Sequence, residues 1–113
     1  MTGCKRGEVW MVNFNPGRGS EQKGVRPALI IQNDTGNQYA ATTIIAAITS
    51  TIKKYPVTVV VPRAKGGLKE ESMINLAQIL TIDKGRLIRK IGQIEKEKIV
   101  EVDEAIKISL GVT

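Results

Sequence analysis

The stretch "RPALIIQNDTGNQYAATTIIAAIT", Arg26 to Thr49, is where the architecture is decided. Arg26 to Gln32 reads as a strand, an apolar run opened by an Arg-Pro pair. Thr42 to Thr49, "TTIIAAIT", is almost continuously apolar, which fits a strand covered on both faces. Between them, "NDTGNQ", Asn33 to Gln38, has turn chemistry, because Asn, Asp and Gly tolerate left-handed backbone.

The same alternation of short strands and turn signals continues outward. Upstream, Glu8 to Phe14, "EVWMVNF", is rich in Val, Trp and Phe and reads as a strand. Asn15 to Gly24 carries Pro16, Gly17, Gly19 and Gly24, and connections of this length are often functional. Downstream, Ser50 to Pro56 is a polar turn, and Val57 to Val61 is dense in β-branched residues and closed by Pro62. "AKGG" marks the next loop, and Ser72 to Leu80 reads as extended. Gly85 interrupts the chain before another short strand, Arg86 to Gln93. The last segment changes period: Ile99, Val102, Ile106 and Leu110 recur at offsets of three and four, predicting a helix from Glu95 to Leu110 with that stripe in the core. Its N-cap is weak, and Gly111 is the stop. Strands followed by one helix define a mainly β, α+β fold: a small curled sheet or barrel with a helix packed on it.

The chain of 113 residues carries no internal repeat or linker, so one domain spanning 1–113 is expected. With 42% hydrophobic residues it can bury one modest core. Lys and Arg number 17 against 11 Asp and Glu, and the net charge of +6 attracts polyanions such as nucleic acid. A single cysteine, Cys4, excludes an internal disulfide. There is no histidine, which removes the usual acid–base residue, every Ser–His or Cys–His pair and nearly all zinc sites. The segment before Val9 is too short and polar for a secretory signal, and no apolar run is long enough to span a bilayer, so a cytoplasmic protein is expected.

In a chain without histidine, catalysis falls to Arg, Lys, Thr, Ser, Tyr and carboxylates. Arg26 stands at a strand mouth, braced by Pro27. Its guanidinium fork fits phosphate oxygens, although a surface ion pair would also account for it. Thr49 closes an apolar run, where a threonine commonly satisfies a backbone group. Glu21 is the acidic residue of the Gly19–Gly24 loop, either solvated or placed to accept a proton.

Three segments, "RGEVWMVNFNP", "GSEQKGVRPALIIQND" and "AAIT", together resemble the MazF/PemK toxins of bacterial toxin–antitoxin systems. The ending "IDKGRLIRKIGQIEKEKIVEVDEAIKISLG" is similar to the same family's C-terminal third. The likeness runs from Lys5 to Val112. It implies an SH3-like β-barrel acting as a homodimer, with no cofactor and no metal. It implies a sequence-specific endoribonuclease acting on single-stranded RNA, usually mRNA, by attack of the ribose 2′-hydroxyl. The products would be a 2′,3′-cyclic phosphate and a free 5′-hydroxyl, and a MazE-like antitoxin would block the site.

Residue by residue, the resemblance makes Arg26 catalytic: it neutralises the phosphorane and supplies a proton to the leaving oxygen. Donors fixed where charge develops contribute several kcal/mol of stabilisation in such sites, about 3–4 for a single donor. Thr49 would donate a hydrogen bond to the same phosphate, with Ser20 and Ser50 as further donors. Glu21 would take the 2′-proton or orient Arg26. Gln22 and Lys23 would face RNA, and Lys23 departs from the small residue expected at that position. Splayed bases need amides for their edges and rings for their faces. Asn33 and Gln78 are the expected amides, and Tyr55 either stacks on a base or covers the barrel. The turn "TSTIKKYP" is shorter than in relatives, so a relative's cut sequence does not transfer. The alternatives are a gyrase-poisoning CcdB-type toxin, which relies on a C-terminal tryptophan, a non-catalytic nucleic-acid-binding barrel, and a dimerisation domain.

Overall fold

The apolar runs pair into one antiparallel sheet. A computed structural model of the chain describes residues 3–16 and 23–113. The strands are β1 (Glu8–Asn13), β2 (Val25–Ile30), β3 (Thr42–Thr49), β4 (Thr58–Val61), β5 (Ser72–Asp83) and β6 (Leu87–Gln93). Helix α1 (Asp34–Tyr39) lies between β2 and β3, a 3-10 turn (Lys84–Arg86) joins β5 to β6, and α2 (Lys96–Leu110) ends the fold. The six strands lie in the order β4-β5-β3-β2-β1-β6.

The central strands are buried on both faces, as "TTIIAAIT" implied. Side chains alternate across a strand, so each strand feeds two clusters. Val9, Leu29, Ala46 and Ile48 point into a core shared with Ile74, Leu76, Val102 and Ala105. Trp10, Val12, Ala28, Ile30 and Ile45 point the other way, to Cys4, Phe14, Ile82 and Leu87. The sheet curls until the loop after β4 meets β6, the opposite edge. A Cβ on Gly67 would stand 1.9 Å from the Ile91 carbonyl oxygen, and one on Gly92 2.4 Å from the Gly66 carbonyl. Only two bare backbones fit at this seam.

Two expectations are corrected. The segment read as a turn, Asn33 to Gln38, forms α1 instead, with Asn33 as its N-cap: the side-chain oxygen accepts from Gly36 N–H at 2.8 Å. Asn37 on this helix is buried, and its Oδ1 accepts from Thr43 Oγ1 at 2.7 Å and Gln32 Nε2 at 3.0 Å. Its Nδ2 donates to the Gln32 carbonyl at 2.9 Å, and the Lys84 ammonium donates to its backbone carbonyl. The bonds from Thr43 of β3 and from Lys84 tie down one helical turn where local composition favours a simple turn.

The second correction concerns α2. Val102 is buried, and Ile99 and Ile106 pack against the core, but Leu110 is 60% exposed. The sheet-facing line runs through Val102, Ala105 and Ser109. The Ser109 hydroxyl donates to the Leu76 carbonyl at 2.5 Å, where β5 bulges: its partner to Ala46 is Ile79, but its partner to Ala47 is Asn75. As the sequence suggested, Glu95 caps α2 without a side-chain bond, and Gly111 ends it in the left-handed conformation at φ 69°.

Candidate functional site

One proline opens the site. Phe14 N–H donates to the Gly24 carbonyl at 2.8 Å, which sets the hydrogen-bonding phase of the β1–β2 ladder. Arg26, opposite Val12, then bonds towards β1, while positions 27, 29 and 31 present their N–H to β3. Ile31 makes that bond, to the Ile44 carbonyl at 2.9 Å. Pro27 has no N–H to give. The β2–β3 register accordingly stops at Ala28 opposite Ala47, and Ile48 and Thr49 continue against Ile74 and Met73 of β5.

The two strands part at that point and leave a cleft of about 610 Å³. Pro27, Ile48 and Leu68 line it together with Lys23, Arg26, Thr49, Ser50, Thr51, Lys69, Glu70 and Ser72. Among the described residues, three cations and one carboxylate line the cleft, a balance that favours an anion.

Arg26 is exposed, and its Nε–H donates to the Lys23 carbonyl at 3.2 Å, which ties the guanidinium to the chain that lines the cleft. Thr49 is half-buried at the end of β3, and its Oγ1 accepts from Thr51 N–H at 3.1 Å. The backbone role and the donor role are therefore compatible, because the hydroxyl accepts from the chain and keeps its own proton to donate. Ser50 is exposed beside it. Ser72 is spent on structure, donating to the Glu70 carbonyl at 2.9 Å.

The structure brings together Lys23, Arg26, Thr49 and Ser50. Ser20, Glu21 and Gln22 lie outside the described residues. Asn33, Tyr55 and Gln78 are not among the cleft's lining. Asn33 caps α1 beyond the far end of β2 from Arg26. Tyr55 is 43% exposed in the β3–β4 turn, where its carbonyl accepts the Thr58 hydroxyl at 2.8 Å. Gln78 is half-buried in the β5 bulge, between Asn75 and Ile79. Sequence reading missed Lys69, Glu70 and Thr51. The basic-acidic run "LKEES" gave no spacing to tie it to Arg26, since only the course of the β4–β5 loop does so. Among the described residues no group of three His, Cys, Asp or Glu side chains is placed to hold a metal ion.

This fold and cleft define a class. Residues 5–110 match the family model of PemK-like, MazF-like toxins of type II toxin–antitoxin systems, and the chain belongs to that family. Among individual relatives, it is 48% identical to the endoribonuclease MazF of Staphylococcus epidermidis over 96% of this chain and 92% of that protein. Its backbone is similar to MazF from Deinococcus radiodurans, with a TM-score of 0.85 at 24% identity, covering 99% and 100% of the two chains. A mycobacterial endoribonuclease solved in complex with its cognate antitoxin gives a TM-score of 0.84 at 22% identity, covering 97% of each chain.

Proposed function

We propose that the chain is an endoribonuclease toxin that cleaves single-stranded RNA, mRNA in the cell, without a metal ion. The observation that carries this reading is the convergence of Arg26 and Thr49 on one cationic cleft in a member of the PemK/MazF family. RNA supplies its own nucleophile. The 2′-oxygen attacks phosphorus as a base takes its proton, and the 5′-oxygen leaves with a proton, giving a 2′,3′-cyclic phosphate and a 5′-hydroxyl. Arg26 offers its fork to the phosphorane oxygens, and Thr49 O–H donates to one of them. Lys23 and Lys69 hold the flanking phosphates. The carboxylate lining the described part of the cleft is Glu70. Comparing pH–rate profiles of Glu70→Gln and Glu21→Gln assigns the base, since the variant that loses the acidic limb identifies it.

The reading also includes a homodimer in the cytoplasm, arrest of translation and growth, and neutralisation by a cognate antitoxin. It is supported by family membership and by relatives solved with an antitoxin. Among the described residues no helix is long and apolar enough to cross a membrane. The gyrase-poisoning alternative loses its anchor, because the tryptophan of this chain, Trp10, is 8% exposed within the sheet and donates to Glu8 Oε1 at 3.0 Å. The test is incubation of the purified protein with a long RNA in EDTA, followed by mapping of the ends. Discrete cuts with cyclic-phosphate and 5′-hydroxyl termini are expected. Intact RNA, or cleavage that EDTA abolishes, would overturn the proposal.

A further inference from the structure

We propose that Arg86, outside the cleft, is a positioning residue for Arg26, because its guanidinium clamps the chain from which Arg26 is oriented. The inference rests on the reading of Arg26 as the phosphate-binding group. Arg86 closes the 3-10 turn before β6, and its Nη1 donates to the carbonyls of Asn13 at 3.0 Å and Asn15 at 2.5 Å. The last pair between β1 and β6 is Val12 with Leu87, and the register slips between Met11 and Val12. Beyond that pair the ladder has run out, and the Arg86 side chain takes over the role of a strand neighbour. Hydrogen bonds from a charged donor are stronger than neutral ones, and the rigid fork loses little freedom in making them.

The clamp leads to Arg26 through bonds on both sides of the chain crossing. Asn15 N–H donates to Asn13 Oδ1 at 3.0 Å, and Asn15 Oδ1 accepts Gly24 N–H at 3.0 Å. The next carbonyl back, that of Lys23, accepts Arg26 Nε–H. Strand pairing repeats the connection laterally, since Leu87 faces Val12 and Val12 faces Arg26. Releasing the carbonyls of Asn13 and Asn15 frees Asn15, then Gly24, then the acceptor that orients the guanidinium. A group that stabilises the transition state, once misplaced, costs turnover with little effect on substrate binding.

The experiment compares wild type, Arg86→Ala, Asn15→Ala and the double variant on a defined RNA, with RNA affinity measured against salt. Arg86→Gln, which keeps a donor for one carbonyl, replaces Arg86→Ala if the latter does not fold. Arg86→Ala is expected to lower kcat about tenfold, the worth of one well-made bond, with KM within about twofold of wild type. Its salt slope should match wild type, and the double variant should be no slower than the slower single. A loss confined to KM, or a shallower salt slope, would make Arg86 an RNA contact and overturn the proposal. Strictly multiplicative losses, or a lowered Tm with full kcat, would overturn it too. If wild type cuts no RNA, the functional reading fails by itself. The clamp is then read from the Arg26 Nε–H NMR signal, identified by its loss in Arg26→Lys. Faster exchange of that proton with water in Arg86→Ala is expected, and an unchanged signal would sink the clamp.

Discussion

Thr49 Oγ1 accepts one bond from the chain, and the proposed mechanism asks the same hydroxyl to donate a second to the phosphate, which makes its substitutions informative. Thr49→Val should slow cleavage about 10- to 100-fold, the range expected for a lost donor to developing charge. Thr49→Ser should retain most of the rate, and single-turnover kinetics separate the two. Arg26→Lys keeps the charge but loses the fork and the Nε–H tie to Lys23, so it should fall about 100-fold or more while the circular dichroism spectrum stays that of wild type. Cys4 illustrates the opposite case, a polar group withdrawn from chemistry. Burial pushes its thiol pKa up, outweighing hydrogen bonding and the nearby Lys84 charge. The native protein should therefore react slowly with an aromatic disulfide reagent at pH 8 and rapidly in denaturant, and fast native labelling would contradict its burial. Arg26 and Thr49 stand out in the sequence, a charge at a strand mouth and a hydroxyl at the end of an apolar run. The residues alone leave an ion pair and a backbone bond as sufficient readings, and it is the family resemblance that gives them roles. Lys69 and Glu70 do not stand out, because nothing local distinguishes them from any solvated lysine and glutamate.

Among the elements, α1 is where local and tertiary preferences part. "NDTGNQ" is turn-like on its own, and the strand-turn-strand reading of Arg26 to Thr49 was right in its strands and wrong in its turn. What makes the turn helical is Asn37, which joins its local partners Gln32 and Asp34 to Thr43 of β3 and to Lys84, the two that only the fold brings up. Asn37→Ala should accordingly cost about 2–3 kcal/mol, against about 1 for the cap variant Asn33→Ala, both read from urea denaturation. Equal losses would deny Asn37 its anchoring role. The same corner sets an acid limit. Arg6 N–H, then Asn37, hold the Asp34 carboxyl below its usual range. Glu8 is also lowered: burial opposes this but is outweighed by bonds from Trp10, the Lys5 N–H and Lys90. Groups with depressed native pKa values stabilise the fold above their unfolded pKa, and the contribution is lost as pH falls through the native values. Stability should drop below about pH 4, and Asp34→Asn should flatten that decline in denaturation curves taken from pH 7 to pH 3. Glu95 to Leu110 was legible as a helix from its period, but the stripe placed Leu110 in the core. The bulge of β5 draws Ser109 inward instead, and a bulge three residues deep leaves no periodic trace in β5's own sequence.

For the whole molecule, the excess of positive charge becomes directional. Lys23, Arg26 and Lys69 line the same cleft, and RNA affinity should fall with salt at about 0.7 log units per log unit for each phosphate neutralised, a slope near 2 for three contacts. A flat response would mean that the cleft does not track a phosphate backbone. The curl of the sheet was foreseeable from many short strands, whereas its point of closure was not, since "AKGG" reads equally well as any loop. That closure has a genetic consequence. The loop that meets β6 at Gly66 and Gly67 passes directly into Leu68, Lys69 and Glu70 of the cleft. A side chain at Gly67 or Gly92 must pry the seam apart and carry the cleft wall with it. In a selection for cells that survive expression of the chain, escape alleles should therefore gather at these two glycines as well as at Arg26 and Thr49. Such survivors would look like active-site mutants while every residue that touches RNA is intact.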